Sequence, residues 1–473
     1  MGINKELSTD IANAYNLEPE DRRLVLDLIE TWRRKLPGNA KRERYYLGKV
    51  RVKDLGIAMP ASLAAKIDPR IDWPKKAVHA LADRSVLNGF TTDDEETTDK
   101  LRAIYAANSL GELYRKNLIG ELKHCCGFWT VTDDGLGNPV ISAYPATAAS
   151  AIWDDAQKEI KAGLVVAESR ERRGTRDRIP TLVHVFKKDC LIKIAYADGL
   201  WYAEYDENSM GRPLMEPMAH GATLERPFGA SRITRAVMSI TDDAIRQRAR
   251  MEVAAESATL PQMWLLGTAK RVTNGQNKYD ASMGAINEVT KDEDGDVPTV
   301  WQSAQLQMAP LSEYFRTLAC QMSSVTDVPV SFFGVSNDNP SSSDAIAASL
   351  EPLVIDAKNL NRDNGNALRN VAYMALAVVN DTDFATERDA GHNVNPRWLS
   401  PAYPSAVSQS DAVLKQVQAV PKLANSDVVL ELLDYTDEQM QRIESDNRKV
   451  QGRAIIDQMT GTGDGVDSAE EGA

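Results

Sequence analysis

The sequence predicts an α+β fold, and three observations carry that prediction. Apolar residues recur every three or four positions through most of the first 125 residues and again after residue 309, as amphipathic helices require. Between about 127 and 220 they alternate, as half-buried strands do. From 229 to 257 a helical pattern continues with only a narrow stripe of small apolar residues, leaving most of the helix polar.

Pro19 opens the first long helix, where Leu24, Leu28 and Trp32 recur in steps of four and Gly38 is the expected stop. Asp72-Trp73-Pro74 starts a second, with Ala77, Val78, Leu81, Ala82 and Val86 as its apolar face and Asn88-Gly89 as its end. The acidic run TTDDEETTD (91–99) reads as a solvated loop leading into helices over 101–123. FWTV, DDGLGNP and VISAY then read as strand, turn and strand. LVVAES, TLVHVF, CLIKIAY and LWYAEYD extend them into one antiparallel β domain, 127–220. Asp198-Gly199 turns the last hairpin, and the basic SRERRGTRDR (169–178) is an exposed hairpin tip.

In the helix of 229–257, Ile233, Val237, Ile240, Ala244, Ala254, Ala255 and Ala258 form the stripe. Arg235, Asp242, Asp243, Arg246, Arg250 and Glu252 are among the charges that cover the rest. Leu260-Pro261 ends it. QMWLLG and VPTVWQSAQLQM read as two strands of an insertion, separated by a polar stretch containing KDEDGD (291–296). Its alternating aspartates suggest a calcium loop, but Val297 and Ser303 stand where such a loop needs Gly and Glu.

Pro310 opens a further helix carrying Leu311, Tyr314, Phe315, Leu318, Met322 and Val325, and Asp327-Val328-Pro329 stops it. A polar segment follows, in which Ser341 and Asp344 have capping-box spacing for the next helix. That helix carries Ile346, Leu350, Val354, Ala357, Leu360, Leu368, Val371, Ala375 and Val378, with a kink expected near 348–351 because of Pro352. An irregular stretch spans 380–407. A helix over 408–420 and another capped by Thr436 and Gln439 close the chain, before an acidic, Gly-rich tail expected to be disordered.

Composition narrows the function. The chain has 473 residues, 43% apolar and 26% charged, which is ordinary for a globular protein of several domains. With 55 Lys and Arg against 68 Asp and Glu, the net charge of −13 opposes a clamp that holds DNA through an overall positive field. Cys125, Cys126, Cys190 and Cys320 form no C-x-x-C pair and read as reduced thiols. The N-terminus has no signal-peptide pattern, Glu6 stands where a myristoylation signal needs Ser or Thr, and no apolar run is long enough to span a bilayer. A soluble chain without a membrane partner is expected.

Chemistry is sparse. Neither a phosphate-binding G-x-x-x-x-G-K-[ST] loop nor a G-x-S-x-G elbow occurs. His79, His124, His184, His220 and His392 are scattered, and the adjacent His124, Cys125 and Cys126 point in different directions on a helix. No catalytic residue, cofactor or metal is predicted.

Five segments, in order, point elsewhere. YYLGKVRVKDLGIAMP (45–60) carries Y-Y-x-G. FGASRITRAVMSITDDAIRQRARMEVAAE (228–256) carries G-x-S-R-I. ATLPQMWLLG (258–267), VPVSFFGVSNDNPSSSDAI (328–346) and WLSPAYPSAVSQSDAVLKQ (398–416) follow. Together they resemble the portal proteins of bacteriophages, the head-to-tail connectors, in the branch of siphophages from Gram-positive hosts.

The resemblance implies a portal fold with helical wing and crown, an antiparallel β wing domain, two stem helices, a small β-containing clip and a kinked long helix. It assigns the wing to 1–228, stem helices to 229–257 and 310–327, the clip to 258–309, a tunnel loop to 328–344, the kinked wing helix to 345–380 and the crown to 381–460. The DNA-facing residues of the loop would be Ser331, Ser336, Asn337, Asp338, Asn339, Pro340, Ser341, Ser342 and Ser343, above a base turned by Phe332, Phe333 and Gly334. Arg235, Asp242, Asp243, Arg246, Arg250 and Glu252 would meet neighbouring subunits.

The implied partners are further copies in a ring of twelve, the terminase large subunit, a head-completion adaptor, the major capsid and scaffolding proteins, and double-stranded DNA passing without sequence specificity. The implied location is the capsid portal vertex, after assembly in the host cytoplasm. A minor head protein and a soluble cytosolic enzyme are the competing classes. A ring needs two different faces on each subunit, which long helices of mixed charge can supply. Short polar loop side chains would let DNA slide, because each Lys or Arg on a phosphate adds salt-dependent affinity.

Overall fold

A computed structural model describes residues 5–51, 67–171, 178–259, 263–266, 299–302, 307–335, 343–402, 406–426 and 428–460. The chain begins with α1 (Lys5–Ala12) and α2 (Pro19–Tyr46). Contrary to the stop expected at Gly38, α2 runs through Pro37 and Gly38 for 28 residues. Contacts on both sides of that pair override the local preference. The Trp32 indole donates to the Thr147 carbonyl at 3.1 Å. Buried Asn39 donates to the Ala146 carbonyl at 3.2 Å.

Next come α3 (Trp73–Ala82), β1 (Leu87–Thr91), α4 (Glu95–Ala107) and α5 (Leu110–His124). Pro74 sits in the first turn of α3, as expected. Asn88 and Gly89 do not end that helix but lie within β1. Their strand pairs antiparallel with β12 (Asn395–Trp398), which falls in the stretch expected to be irregular. A partner three hundred residues away leaves no local signature. The Asp94 side chain caps α4 by accepting from Thr97 N at 2.8 Å, so the acidic run is not a loop throughout: Glu95–Asp99 already form the first turns of the helix.

The β region forms two sheets rather than one. β2 (Cys126–Asp133), β3 (Pro139–Pro145) and β9 (Met215–Ala219) are ordered β3-β2-β9. β4 (Ala149–Asp154), β5 (Glu159–Glu171), β6 (Arg178–Phe186), β7 (Cys190–Ala197) and β8 (Leu200–Glu207) form a five-stranded meander. Two different helical partners split them. Trp129, Val131, Ile141 and Met218 join the main helical core. Leu164, Val183, Val185, Ile192 and Ile194 pack with Ile11, Val25, Leu28 and Ile29 of α1 and α2. Each such fully buried aliphatic side chain stabilises by about 1.5–3 kcal/mol. Asp198 and Gly199 turn the β7–β8 hairpin with φ of 50° and 87°. Residues 172–177 of the basic tip lie outside the described residues.

α6 (Arg235–Thr259) starts six residues later than the pattern suggested, and its partner α7 (Ala309–Thr326) follows. The two helices run antiparallel: Gln247 Nε2 reaches the Leu311 carbonyl, and Arg232, just before α6, reaches that of Thr326. Those contacts are fifteen residues apart on either side, about 22 Å of paired helix. Beyond α6, β10 (Met263–Leu266) and β11 (Thr299–Gln302) pair antiparallel, as expected. The KDEDGD stretch lies outside the described residues. On the expected apolar faces, Leu318 and Met322 are buried, but Ala255, Tyr314 and Val325 are exposed within the single chain.

A 3-10 turn (Val330–Phe333) leads on to α8 (Ser343–Asn380), a 38-residue helix containing Pro352. Its Leu353, Val354, Ala357, Leu360, Leu368, Val371 and Ala375 are buried, whereas Ile346 is exposed. α9 (Phe384–Asp389), α10 (Ala406–Ala419), α11 (Val428–Leu432) and α12 (Asp437–Thr460) complete the chain. Thr436 and Gln439 form the reciprocal cap at the start of α12, at 3.0 and 3.4 Å. Among the described residues no helix is long and apolar enough to cross a membrane.

Candidate functional site

The α6–α7 pair springs from residues 229–234, and four of them have a physical role set out by their contacts. Gly229 has φ +66°, and a Cβ there would stand 2.2 Å from the His220 carbonyl oxygen, so only glycine fits. The Ser231 hydroxyl donates to the Lys123 carbonyl at 2.6 Å, at the C-terminal end of α5. The buried Arg232 ties together three further elements. Its Nε donates to the Ala77 carbonyl of α3 at 2.9 Å, one terminal nitrogen pairs with Asp356 of α8 at 2.6 Å, and the other donates to the Thr326 carbonyl. Thr326 ends α7, where unpaired carbonyls and the helix dipole favour a cation. Ile233, at 1% exposure, seals the joint.

A second tie comes from α2. The Tyr45 hydroxyl lies 2.9 and 3.0 Å from the two carboxylate oxygens of Asp242 on α6. Burial first, and the carboxylate second, push the phenol's pKa up, so it stays a donor. Tyr46 hydrogen-bonds His79 Nε2 at 2.9 Å and lies under the Lys123 ammonium, 4.5 Å from the ring centre. Gly48 has φ +62°, and a Cβ would meet an Asp72 carboxylate oxygen at 2.7 Å.

The base of the 328–344 segment is firmly packed. Phe333 is 3% exposed and meets Trp73 edge-on at 5.7 Å. Trp73 also packs on Phe315 of α7 at 5.2 Å. Lys76 stands 5.0 Å over the Phe332 ring, and Gly334 turns the chain in left-handed backbone. Ser331 is in the 3-10 turn and exposed. Ser336, Asn337, Asp338, Asn339, Pro340, Ser341 and Ser342 lie outside the described residues, and Ser343 begins α8.

The six charges expected between subunits separate into two groups. Asp242 is buried and bonded within its own chain. Asp243 and Arg246 pair with each other along α6. Arg235 and Glu252 are exposed and Arg250 is half-exposed. Arg232, Ser231 and Tyr45 were not among the residues expected to matter. The signal for them was present, because they are the S-R of G-x-S-R-I and the first Y of Y-Y-x-G.

Ionisable groups beside the joint are strongly perturbed. Glu43 accepts from Lys123 at 2.8 Å and lies 3.2 Å from His124, and the His124 contact leads in holding its pKa down at about 2. Burial raises Glu121 to about 8; its bond from Asn364, 3.0 Å long, offsets only part of that. The Cys125 and Cys126 thiols hydrogen-bond each other, and among the described residues no group of three or more His, Cys, Asp or Glu side chains could hold a metal ion.

Residues 26–453 match the family model described as phage portal protein, SPP1 Gp6-like. The portal protein of Mycobacterium phage L5 is 23% identical over 391 residues, covering 80% of this chain and 78% of the relative. That of Mycobacterium phage D29 is 23% identical over 386 residues, covering 78% and 77%. A chain in the virion of a native gene transfer agent particle aligns with a TM-score of 0.43 at 13% identity, over 84% of this chain and 98% of that one.

Proposed function

The chain belongs to the SPP1 Gp6-like phage portal family, and from that premise we propose that it forms a ring of twelve at one capsid vertex, through which double-stranded DNA is packaged by the terminase motor, retained and ejected. In this reading residues 1–228 and α8 build the wing, α6 and α7 the stem, 258–309 the clip, 328–344 the tunnel loop and 381–460 the crown. The role is structural, without catalysis. The terminase large subunit, an adaptor, and the major capsid and scaffolding proteins bind its outer surfaces. Subunits assemble in the host cytoplasm and remain in the virion.

The supporting observation is the antiparallel α6–α7 pair, fixed to the body by Arg232 and Tyr45, with side chains on its outer faces uncovered. Arg235, Glu252, Tyr314 and Val325 are exposed in the isolated chain. A neighbouring subunit covers them, and a closed ring requires such heterologous faces. Phe333, at the start of the segment read as the tunnel loop, is packed against Trp73, and the net charge of −13 favours sliding over retention.

Deleting this chain from its phage tests the function. Capsids that remain empty of DNA, and fill again on complementation, are expected; capsids filled normally without it would refute the reading.

A further inference from the structure

We propose that the tip of the β2–β3 hairpin of one copy of this chain docks in a basic cleft of the next. The inference rests on the ring reading and adds to it the pair of surfaces that meet.

The acceptor is a cleft of about 1010 Å³ between α2, the starts of β2 and β4, and residues 225–238. Trp32, Phe128, Phe228 and Met238 give it an apolar floor. Its rim carries Arg34, Lys35, Lys41, Arg42, Arg226 and Arg235, against Glu225 as the one lining carboxylate among the described residues. Apart from Arg42, which bonds the Asn39 side chain, the side chains of these cations make no hydrogen bond or ion pair among the described residues. In a chain with thirteen more acidic than basic residues, such a cluster stands out.

The donor is the turn Asp133-Asp134-Gly135-Leu136-Gly137-Asn138. Leu136 is 85% exposed at its tip. The Asp133 carboxylate accepts from Gly135 N at 2.9 Å and Gly137 N at 3.1 Å. That of Asp134 accepts from Leu136 N at 2.7 Å and from Asn138 N at 3.1 Å. The turn is therefore pre-organised, and little conformational freedom is lost on docking. It presents one apolar knob flanked by two carboxylates, which matches a cleft with an apolar floor and a cationic rim.

Geometry makes the partner a second copy. β2 starts at Cys126, on the cleft wall, and ends at Asp133, on the tip. Its eight residues hold the two about 25 Å apart, so a hairpin cannot reach the cleft of its own chain. Tip and cleft are different surfaces at opposite ends of one strand. Their union is heterologous and adds subunits in one direction, as ring growth requires.

The full-length chain carrying Leu136→Cys in a Cys320→Ser background, treated with a short bismaleimide, tests this. Cys125 lines the cleft and serves as the second thiol. A ladder of linked subunits is expected, absent without Leu136→Cys and absent when Cys125→Ser is added. Asp133→Asn with Asp134→Asn keeps the oxygens that accept from the backbone amides of the turn while removing the charges. It should raise the subunit concentration for half-assembly about tenfold. Intact rings with no Cys125-dependent link and unchanged assembly would overturn the docking while leaving the ring reading in place. Absence of rings from the unmodified chain would overturn both. Duplex DNA held by the cleft, released by Lys35→Glu and found in place of the link, would also overturn the docking.

Discussion

The hydroxyl of Tyr45 lies within 3.0 Å of both carboxylate oxygens of Asp242, and both residues are buried. One hydrogen bond thus joins the end of α2 to the first half of α6. Tyr45→Phe removes the donor and leaves the buried carboxylate short of a partner. A loss of about 1.5–3 kcal/mol in urea unfolding is expected. Asp242→Asn should cost less in the Tyr45→Phe background than in the wild type, because the amide is cheaper to bury than the carboxylate.

Arg232 binds the carbonyls of Ala77 and Thr326 and the carboxylate of Asp356. Arg232→Met should destabilise by about 2–4 kcal/mol, mostly because two buried carbonyl contacts are lost, since Asp356 is partly exposed and water can reach it. Arg232→Lys should recover only part of this, because an ammonium lacks the planar fork. Denaturant midpoints of the two variants check the order.

Glu121 has its folded pKa raised to about 8 by burial, above its ordinary value of 4.5. The folded chain therefore keeps a proton that the unfolded chain releases. This stability is fully present below about pH 4.5 and is lost as pH rises towards 8. Glu121→Gln should remove that loss, so the variant gains on the wild type between pH 5 and 8. Glu43, held down at about 2, acts in the opposite sense: its contribution is present above pH 4.5 and falls away in acid towards pH 2. Melting temperatures across pH 3–9 separate the two.

Asn337→Lys with Asp338→Lys tests the tunnel-loop assignment. In the sequence these residues stand between Phe333, which is buried, and Ser343, where α8 begins. Added cations in a DNA channel create phosphate contacts that resist sliding. Assembled rings with reduced DNA content per capsid are expected. Unchanged packaging by intact rings would sink the assignment.

Local signals revealed much of this fold. Pro74, the Asp198-Gly199 turn and the Thr436–Gln439 cap stand where short-range chemistry placed them. What was missed depends on distant partners. Gly38 would end a lone helix, but Trp32 and Asn39 bond to residues 147 and 146 and carry the helix through. Asn88-Gly89 resembles a helix end until β12 pairs with it. The division into two sheets depends on which helices cover each one. At the joint, Arg232 and Tyr45 were visible as motif letters, but their acceptors lie 94 to 197 residues away.

The mass and symmetry of the purified full-length chain, measured by native mass spectrometry and electron microscopy, test the central claim most directly. The account predicts annular particles with a central hole and a mass many times that of the subunit. A stable monomer at micromolar concentration in moderate salt, unchanged by capsid or scaffolding proteins, would contradict it.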